Sequence, residues 1–265
     1  MIPKIIHYCW FGGNPLPDEY KKYMESWRKF CPDYEIIEWN ESNYDVTKNK
    51  YMHEAYEAKK WAFVSDYARL DIIYNHGGIY LDTDVELIKS LDDLLINEAY
   101  MGMESKYYVA TGLGFGAIKG HKVVKELRDY YDDMSFFNPD GSYNLTPCPI
   151  YQTQCLMKKG LVQKNEKQLI RGVTIYPSEY FSPISPTGFK QKLTPNTYSI
   201  HHYSASWKDD IQRAKKAYRM KLSKYLGKIP TQIIITIKFH GIKYTIKKII
   251  EKAFKIGKKR CKNDS

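Results

Sequence analysis

Cysteine is scarce in this chain and is not arranged in pairs. Five cysteines are spread over 265 residues without a C-x-x-C motif, and their number is odd. Disulfide frameworks are typical of short secreted domains with an even number of cysteines. We therefore expect reduced thiols in a cytosolic protein.

Long apolar runs are also missing. A membrane-spanning helix needs about 20 consecutive apolar residues, and the longest candidate, residues 233–237, is interrupted by Thr236 and stopped by Lys238. Residues 1–10 lack the apolar core of a secretory leader. We found no internal repeats, so we expect neither a leader, nor a spanning helix, nor a repeat architecture.

The chain does contain enough apolar residues for a core. Hydrophobic residues make up 43% of the sequence, which favours a globular fold of one or two domains. Tyrosine is abundant, with 24 copies. A tyrosine ring offers a flat apolar face and a hydroxyl, which suits sugars and bases, although many of these rings will simply pack.

Charge divides the chain near residue 207. Residues 208–265 hold 18 basic and 4 acidic side chains, whereas residues 1–207 hold 23 basic and 26 acidic ones. The net charge of +11 therefore comes from the C-terminal segment. We predict a body over 1–207 and a basic helical extension over 208–265.

The extension combines apolar and basic residues at helical spacing. Between Ile235 and Ala253 the apolar positions recur at steps of four and three, with lysines between them. Such a helix can lie on an anionic membrane, where each lysine contributes about 1 kcal/mol. We expect residues 208–260 to bind a membrane surface. Packing on the body or on another subunit is the alternative, and nucleic acid is disfavoured because no base-reading module accompanies the lysines.

Strands and helices alternate in the N-terminal half. The pattern predicts strands over 2–10, 34–39 and 79–81 and helices over Asp18–Phe30 and 55–75, with Asp18 as a candidate N-cap. A Gly-Gly pair at 77–78 ends the second helix. This order favours an α/β sheet, in which ligands bind beyond the carboxyl ends of strands.

Two aspartates follow the third predicted strand. Asp82 and Asp84 are two residues apart, which on a strand directs both side chains to the same face. Carboxylate oxygens suit Mn²⁺ or Mg²⁺, and either cation can bridge a diphosphate. A bare D-x-D also occurs in surface turns, but the apolar residues before this one argue against that alternative. We predict a divalent metal site here.

A charged pair and a histidine cluster extend the candidate site. Asp66 and Arg69 lie three residues apart on an apolar helix, either as a structural buried ion pair or as a grip on sugar hydroxyls. Near the end of the body, His201 and His202 offer imidazole ligands for a carboxylate metal site. Trp207 can donate its indole N–H to a phosphate.

Three segments together resemble one enzyme family. They are IPKIIHYCWFGG, SDYARLDIIYNHGGIYLDTDVE and SIHHYSASW. Over residues 2–207 the chain resembles glycosyltransferase family 32, whose sugar-transferring domain is similar to that of the large clostridial glucosylating toxins. The resemblance implies a GT-A fold, which is a Rossmann-like mixed sheet flanked by helices. It also implies metal-dependent hexosyl transfer from a nucleotide-sugar with retention of configuration.

The resemblance further implies roles for single residues in the donor site. Trp10 would stack on the nucleobase and Tyr80 would contact the nucleoside. Asp66 and Arg69 would hold sugar hydroxyls, and Asp82 would contact the ribose and the sugar. The remaining implied donor contacts are Thr111, Gly112, Ser204, Ser206 and Trp207, of which Thr111 stands where relatives often carry an amide.

The same resemblance implies a set of metal ligands. Asp84 would bind Mn²⁺ or Mg²⁺ directly, with Asp82 in an indirect role. His202 would be the late ligand. The toxin-like members have a carboxylate at that place, so His201 stays open as the competitor.

Three function classes remain at this point. The leading one is transfer of a sugar, from a UDP-type donor, to a lipid-linked saccharide in capsule or exopolysaccharide synthesis. The basic extension would then hold a peripheral enzyme at the cytoplasmic face of the cell membrane. The second class is a toxin- or effector-like transferase that glycosylates a protein. The third is a non-enzymatic basic binder, against which the intact D-x-D argues. The sequence reveals no protein nucleophile, and oligomeric state stays open.

Overall fold

The computed structural model describes residues 1–183, 193–204, 214, 218–219, 221–222, 225–226 and 228–242. The described residues up to 204 belong to one unit, and those from 214 onward belong to a second. The predicted boundary at 207, the predicted donor contacts Ser206 and Trp207, and most of the predicted basic helix lie outside the described residues.

A mixed β-sheet forms the centre of the first unit. The strands are β1 (Ile5–Cys9), β2 (Glu35–Trp39), β3 (Gly78–Tyr80), β4 (Val85–Leu87), β5 (Ala99–Met103), β6 (Val109–Ala110), β7 (Phe115–Ala117), β8 (Gln168–Ile170), β9 (Val173–Tyr176) and β10 (Ser199–His201). Within the described residues, the main sheet has the order β2-β1-β3-β7-β5-β9-β8, with β6 paired to β5. Strand β1 is parallel to both of its neighbours, whereas β7 is antiparallel to both of its own. This confirms the predicted mixed α/β sheet.

Helices cover both faces of the sheet. They are α1 (Asp18–Phe30), α2 (Lys50–Glu57), α3 (Trp61–His76), α4 (Lys122–Asp129) and α5 (Cys148–Met157), with short 3-10 turns at Asp92–Leu94, Thr111–Leu113 and Ser178–Tyr180. Side chains alternate along each strand, so two apolar clusters form on opposite faces. In β5, for example, Met101 joins one cluster and Tyr100 joins the other.

Helix α3 is apolar around most of its circumference because it is buried on most sides. Its residues from Phe63 to Ile73 are all buried. The helix stops at Gly77, which has a φ of 71°, and Gly78 follows with a φ of 98°. Residues other than glycine rarely adopt such positive φ angles. The Gly-Gly pair therefore turns the chain directly from α3 into the buried strand β3.

The predicted single helix over 55–75 is wrong, since the structure contains two helices there. Helix α2 ends in a Schellman motif in which the Lys59 N–H bonds the Tyr56 carbonyl at 2.8 Å and the Lys60 N–H bonds the Ala55 carbonyl at 2.9 Å. Lys59 has a φ of 56°, in the left-handed region. Glycine usually marks this position, so the lysine gave no signal of the break.

One other local prediction is also wrong. The N-cap of α1 is Pro17, so Asp18 lies inside the first turn, where its charge favours the positive end of the helix dipole. Strand β3 ends at Tyr80, so Asp82 and Asp84 lie on the tight turn that leads into β4.

The second unit is described mainly through one helix, α6 (Lys228–His240). It ends at Gly241, which has a φ of 83°, and Ile235 is buried on it. Lys238 lies 3.8 Å above the Tyr218 ring. Within the described residues, none of the helices has the length and apolar content needed to cross a bilayer.

Candidate active site

The D-x-D motif occupies a turn that is fixed on both sides. Before the turn, the Leu81 N–H bonds the His7 carbonyl at 3.0 Å, and within it the Val85 N–H bonds the Asp82 carbonyl at 3.0 Å. After the turn, β4 pairs antiparallel with β10, which places His201 opposite Val85. The indole N–H of Trp27 donates to the Val85 carbonyl at 2.8 Å. Two distant segments of the chain therefore meet at the carboxyl end of β3.

This arrangement brings three metal-ligating side chains together. Ligand atoms of Asp82, Asp84 and His201 all lie within 4.8 Å of one another. His201 Nε2 is 3.0 Å from Asp84 Oδ1 and 4.0 Å from Asp82 Oδ2. Hard divalent cations bind such ligands at about 2.0–2.6 Å, so small side-chain shifts would let one ion reach all three. The donor set, two carboxylates and an imidazole, fits Mn²⁺ or Mg²⁺.

The imidazole in this cluster belongs to His201, which reverses our sequence-based preference for His202. His202 Nε2 instead lies 2.8 Å from Glu86 Oε2, and its ring stacks on Tyr23 at 4.2 Å. The physical reason is strand alternation. His201 is the last residue of β10 and His202 follows it, so their side chains point to opposite sides. His202 still contributes its backbone N–H, which bonds the Asp84 carbonyl at 3.0 Å.

Opposite electrostatic influences act on the two aspartates. Burial favours the neutral form of Asp84. Two opposing influences outweigh burial: the charge and hydrogen bond of His201, and the Ser204 N–H, which donates to Asp84 Oδ2 at 2.7 Å. The pKa of Asp84 is therefore lowered. Burial raises the pKa of Asp82 despite the nearby charge of Arg69. The pKa of His201 is raised because Asp84 and Asp82 overcome the effect of its burial. Asp84 is thus held as a carboxylate.

Asp66 and Arg69 form a buried ion pair that also touches the D-x-D turn. Arg69 Nη2 is 2.9 Å from Asp66 Oδ1 and 3.5 Å from Asp82 Oδ1, and Arg69 is only 3% exposed. Its Nε donates to the Ser65 carbonyl at 2.9 Å. Burial raises the pKa of Asp66 to about 6 in spite of Arg69. The pair is therefore structural and also lies next to the candidate metal site, so the two sequence-based alternatives are compatible.

Tyr80 and Ser204 support this cluster from behind. The Tyr80 ring is 1% exposed and lies 5.0 Å from the Arg69 guanidinium, and its hydroxyl bonds Asp82. The predicted contact of Tyr80 with a nucleoside is not available to a ring buried in this way. Ser204 contributes its backbone N–H to Asp84 rather than a side-chain contact.

The segment around Thr111 approaches the carboxylates through its backbone. A Cβ placed on Gly112 would lie 2.4 Å from Asp82 Oδ2 and 2.9 Å from Arg69 Nη1, so any larger residue would displace these two side chains. Thr111 is fully buried and its hydroxyl accepts a hydrogen bond from Gln152. Its side chain therefore holds the segment in place and does not face an open sugar site, unlike in our prediction.

Trp10 lies in the turn after β1, as expected from the sequence. Its indole N–H donates to the Asn14 carbonyl at 2.6 Å, and its ring meets Tyr20 edge-on. A second tryptophan, Trp61, lies against Gly12 of the same turn, where an added Cβ would be 2.5 Å from its ring. Base stacking by Trp10 stays a prediction.

Three side chains act on this site through hydrogen bonds or charge, and no sequence signal identified them. The Cys148 thiol hydrogen-bonds Asp66. The charge of Glu104 acts on His201, and burial raises the pKa of Glu104. Gln152 binds Thr111. Each comes from a segment far away in sequence, so only the fold reveals its neighbours.

Comparison with known proteins agrees with this geometry. The family model described as "Glycosyltransferase sugar-binding region containing DXD motif" matches residues 17–101, which include the α3–β3 segment and both aspartates. The chain is a glycosyltransferase that matches this DXD family over those residues. The resemblance to glycosyltransferase family 32 and the prediction of an enzyme are both confirmed.

Several curated relatives of this glycosyltransferase have names that specify a reaction. It is 26% identical over 231 residues to an uncharacterized glycosyltransferase, L373, of Acanthamoeba polyphaga mimivirus, covering 83% of this chain and 90% of that protein. It is 32% identical over 130 residues to inositol phosphoceramide mannosyltransferase 3 of Schizosaccharomyces pombe, covering 48% and 36%. Human lactosylceramide 4-alpha-galactosyltransferase is 28% identical over 152 residues, covering 52% and 40%. The chain therefore spans well under half of the yeast and human proteins.

A solved structure shares the fold. The structure named "PaToxG Glycosyltransferase" matches with a TM-score of 0.50 at 18% identity, covering 60% of this chain and 70% of that one. At this identity the likeness concerns the fold alone, and it agrees with the predicted GT-A architecture.

Proposed function

We propose that this glycosyltransferase moves a hexose from a nucleoside diphosphate sugar to a lipid-linked saccharide, with retention of configuration and with Mn²⁺ or Mg²⁺ as cofactor. The observation that carries the proposal is the meeting of Asp82, Asp84 and His201 beside the Asp66–Arg69 pair. A cation ligand set next to buried hydroxyl-binding groups is what a diphosphate sugar requires.

The cation would be held by Asp84 and His201 with Asp82 alongside, and when bound it would stabilise negative charge on the departing diphosphate. The protein keeps Asp84 ionised through His201 and the Ser204 N–H. Arg69 fixes Asp82 and Asp66 at the same time, so both carboxylates can accept hydrogen bonds from sugar hydroxyls in fixed positions.

The acceptor hydroxyl would approach on the side of the leaving group, which gives retention without a covalent enzyme intermediate. A phosphate oxygen of the leaving group would then take the acceptor proton as the bond between the sugar and the diphosphate breaks. Among the described residues we assign no side chain as nucleophile.

The names of the curated relatives support a lipid-linked acceptor. Two of them, the yeast mannosyltransferase and the human galactosyltransferase, are named for ceramide acceptors. Their sugars differ, so both guanosine- and uridine-linked donors belong in the assay, with UDP-sugars as our first choice. A role in capsule or exopolysaccharide synthesis and a peripheral position at the cytoplasmic membrane face, held by the basic residues of 208–260, are parts of the same proposal.

A donor panel tests this function. Purified protein is incubated with UDP- and GDP-sugars, with Mn²⁺, with Mg²⁺ or with EDTA, and release of the nucleoside diphosphate is measured. We expect release from one donor, dependent on the cation, and its loss in Asp84→Asn but not in the exposed control Asp133→Asn. Absence of cation-dependent release from every donor would refute the proposal.

The acceptor is tested separately with the active donor. Lipid-linked saccharides, free saccharides and a protein mixture are compared as acceptors for a radiolabelled sugar. Transfer to the lipid-linked fraction supports the proposal, whereas transfer only to protein would favour the toxin-like alternative.

A further inference from the structure

Helix α5 carries a row of buried polar side chains toward the donor side of the site. Cys148, Gln152 and Thr153 are all buried. Each of the three contacts a different residue at or near the site. The Cys148 thiol hydrogen-bonds Asp66, and the Thr153 hydroxyl accepts the Val109 N–H at 2.9 Å. Buried polar groups on a helix are costly unless each is paired, as these are.

Gln152 makes the most specific of these contacts. Its Oε1 accepts the Thr111 N–H at 3.0 Å, and its Nε2 donates to Thr111 Oγ1 at 2.8 Å. Gln152 is 1% exposed and Thr111 is fully buried. An amide offers one acceptor and one donor side by side, so it matches the N–H and hydroxyl of a single threonine, which an apolar side chain of the same size cannot do.

Gly112, the residue after Thr111, lies directly against Asp82 and Arg69. The 3-10 turn Thr111–Leu113 begins at Thr111, and its second residue, Gly112, packs directly against Asp82 and Arg69. A shift of this turn would therefore change the space beside Asp82 where the donor sugar is proposed to bind.

We propose that Gln152 is a positioning residue for sugar transfer. Through its two hydrogen bonds to Thr111 it fixes Gly112 against Asp82 and Arg69, and so sets the depth of the subsite that receives the sugar part of the donor. This inference rests on the proposed function, because it assigns a sugar to that space. It concerns the sugar and not the nucleoside diphosphate, which gives it a separate readout.

The test compares two glutamine-to-methionine changes on the same helix. Gln152→Met removes both bonds to Thr111, whereas Gln154→Met changes an exposed residue that has no contact with the site. We expect Gln152→Met to lower kcat/KM for the donor about 10- to 30-fold, as for loss of one or two buried hydrogen bonds. The affinity for the nucleoside diphosphate alone with Mn²⁺, measured by calorimetry, should change less than about twofold, a factor worth only about 0.4 kcal/mol.

Substitutions of Thr111 show whether Gln152 acts through that residue. Thr111→Val removes the hydroxyl and should reproduce most of the loss, while Thr111→Ser keeps the hydroxyl and should restore much of the activity that valine loses. The double variant of Gln152→Met and Thr111→Val should be no worse than Gln152→Met alone, because interactions within one unit are not additive.

Three outcomes overturn the inference. They are equal kcat/KM for Gln152→Met and Gln154→Met, a parallel loss of nucleoside diphosphate affinity and kcat/KM, and additive losses in the double variant. A melting temperature is recorded for every variant, so that kcat/KM refers to folded protein. If the unchanged protein turns over no donor at all, the proposed function fails instead, and this outcome is recognised before any variant is made.

Discussion

Replacing Gly112 by alanine would add one methyl group against the two charged side chains that flank the D-x-D turn. The new Cβ would lie 2.4 Å from Asp82 Oδ2 and 2.9 Å from Arg69 Nη1. An ordinary contact needs at least about 3.4 Å, so Asp82 would have to move by about 1 Å. A displacement of this size at a reacting centre costs about 100-fold in rate.

The same change should cost little stability. The φ of Gly112 lies outside the left-handed region, so alanine adds no backbone strain there. The side chain of Asp82 is 26% exposed and can turn toward solvent. We therefore expect the free energy of unfolding to fall by only about 1 kcal/mol, the lower end of the cost of overpacking.

A second glycine provides the matched control. Gly141 has open space around its Cα but a φ of 79°, so Gly141→Ala should cost about 1–2 kcal/mol of stability through backbone strain and leave donor turnover unchanged. The assay is donor turnover with Mn²⁺ alongside urea unfolding of both variants. Full turnover in Gly112→Ala, or equal turnover in the two variants, would refute the reasoning.

Two further predictions follow from the site and the core. His201→Gln should weaken Mn²⁺ binding at least tenfold, whereas His202→Gln should change it only slightly, as measured by calorimetry; the reverse order would restore His202 as the ligand. His7 accepts the Trp39 indole N–H at Nδ1 and bonds the Gly77 carbonyl through Nε2, and burial lowers its pKa to about 4. The unfolded chain takes up this proton near pH 6.5, so the free energy of unfolding should fall by up to about 3 kcal/mol between pH 6.5 and 4. His7→Gln should flatten that part of the pH profile in chemical denaturation, and an unchanged slope would contradict the assignment.

Sequence patterns predicted the parts of the fold that depend on local periodicity. Helix α1 has the predicted bounds, and strands β1, β2 and β3 lie within two or three residues of their predicted ends. The glycine pair at 77–78 was visible because two left-handed residues in succession require glycine. The break between α2 and α3 was not visible because Lys59 occupies the left-handed position at which a glycine usually signals the end of a helix.

The site was predictable to the extent that its residues are neighbours in sequence. Asp82 and Asp84 were found through their spacing and their apolar approach. The choice between His201 and His202 depended on which of two adjacent side chains faces the turn, and that is decided by the pairing of β10 with β4. The role of Gln152 depends on the packing of α5 against the 109–113 segment, which no local pattern encodes.

The most direct test of the account is a crystal of the protein grown or soaked with Mn²⁺ and UDP, with GDP as the second nucleotide, and measured at a wavelength where manganese scatters anomalously. The account predicts one anomalous peak within about 2.4 Å of an Asp84 oxygen and of His201 Nε2, bridging to the two phosphates. A peak coordinated by His202 and Glu86, or diphosphate density with no metal near Asp84, would contradict it.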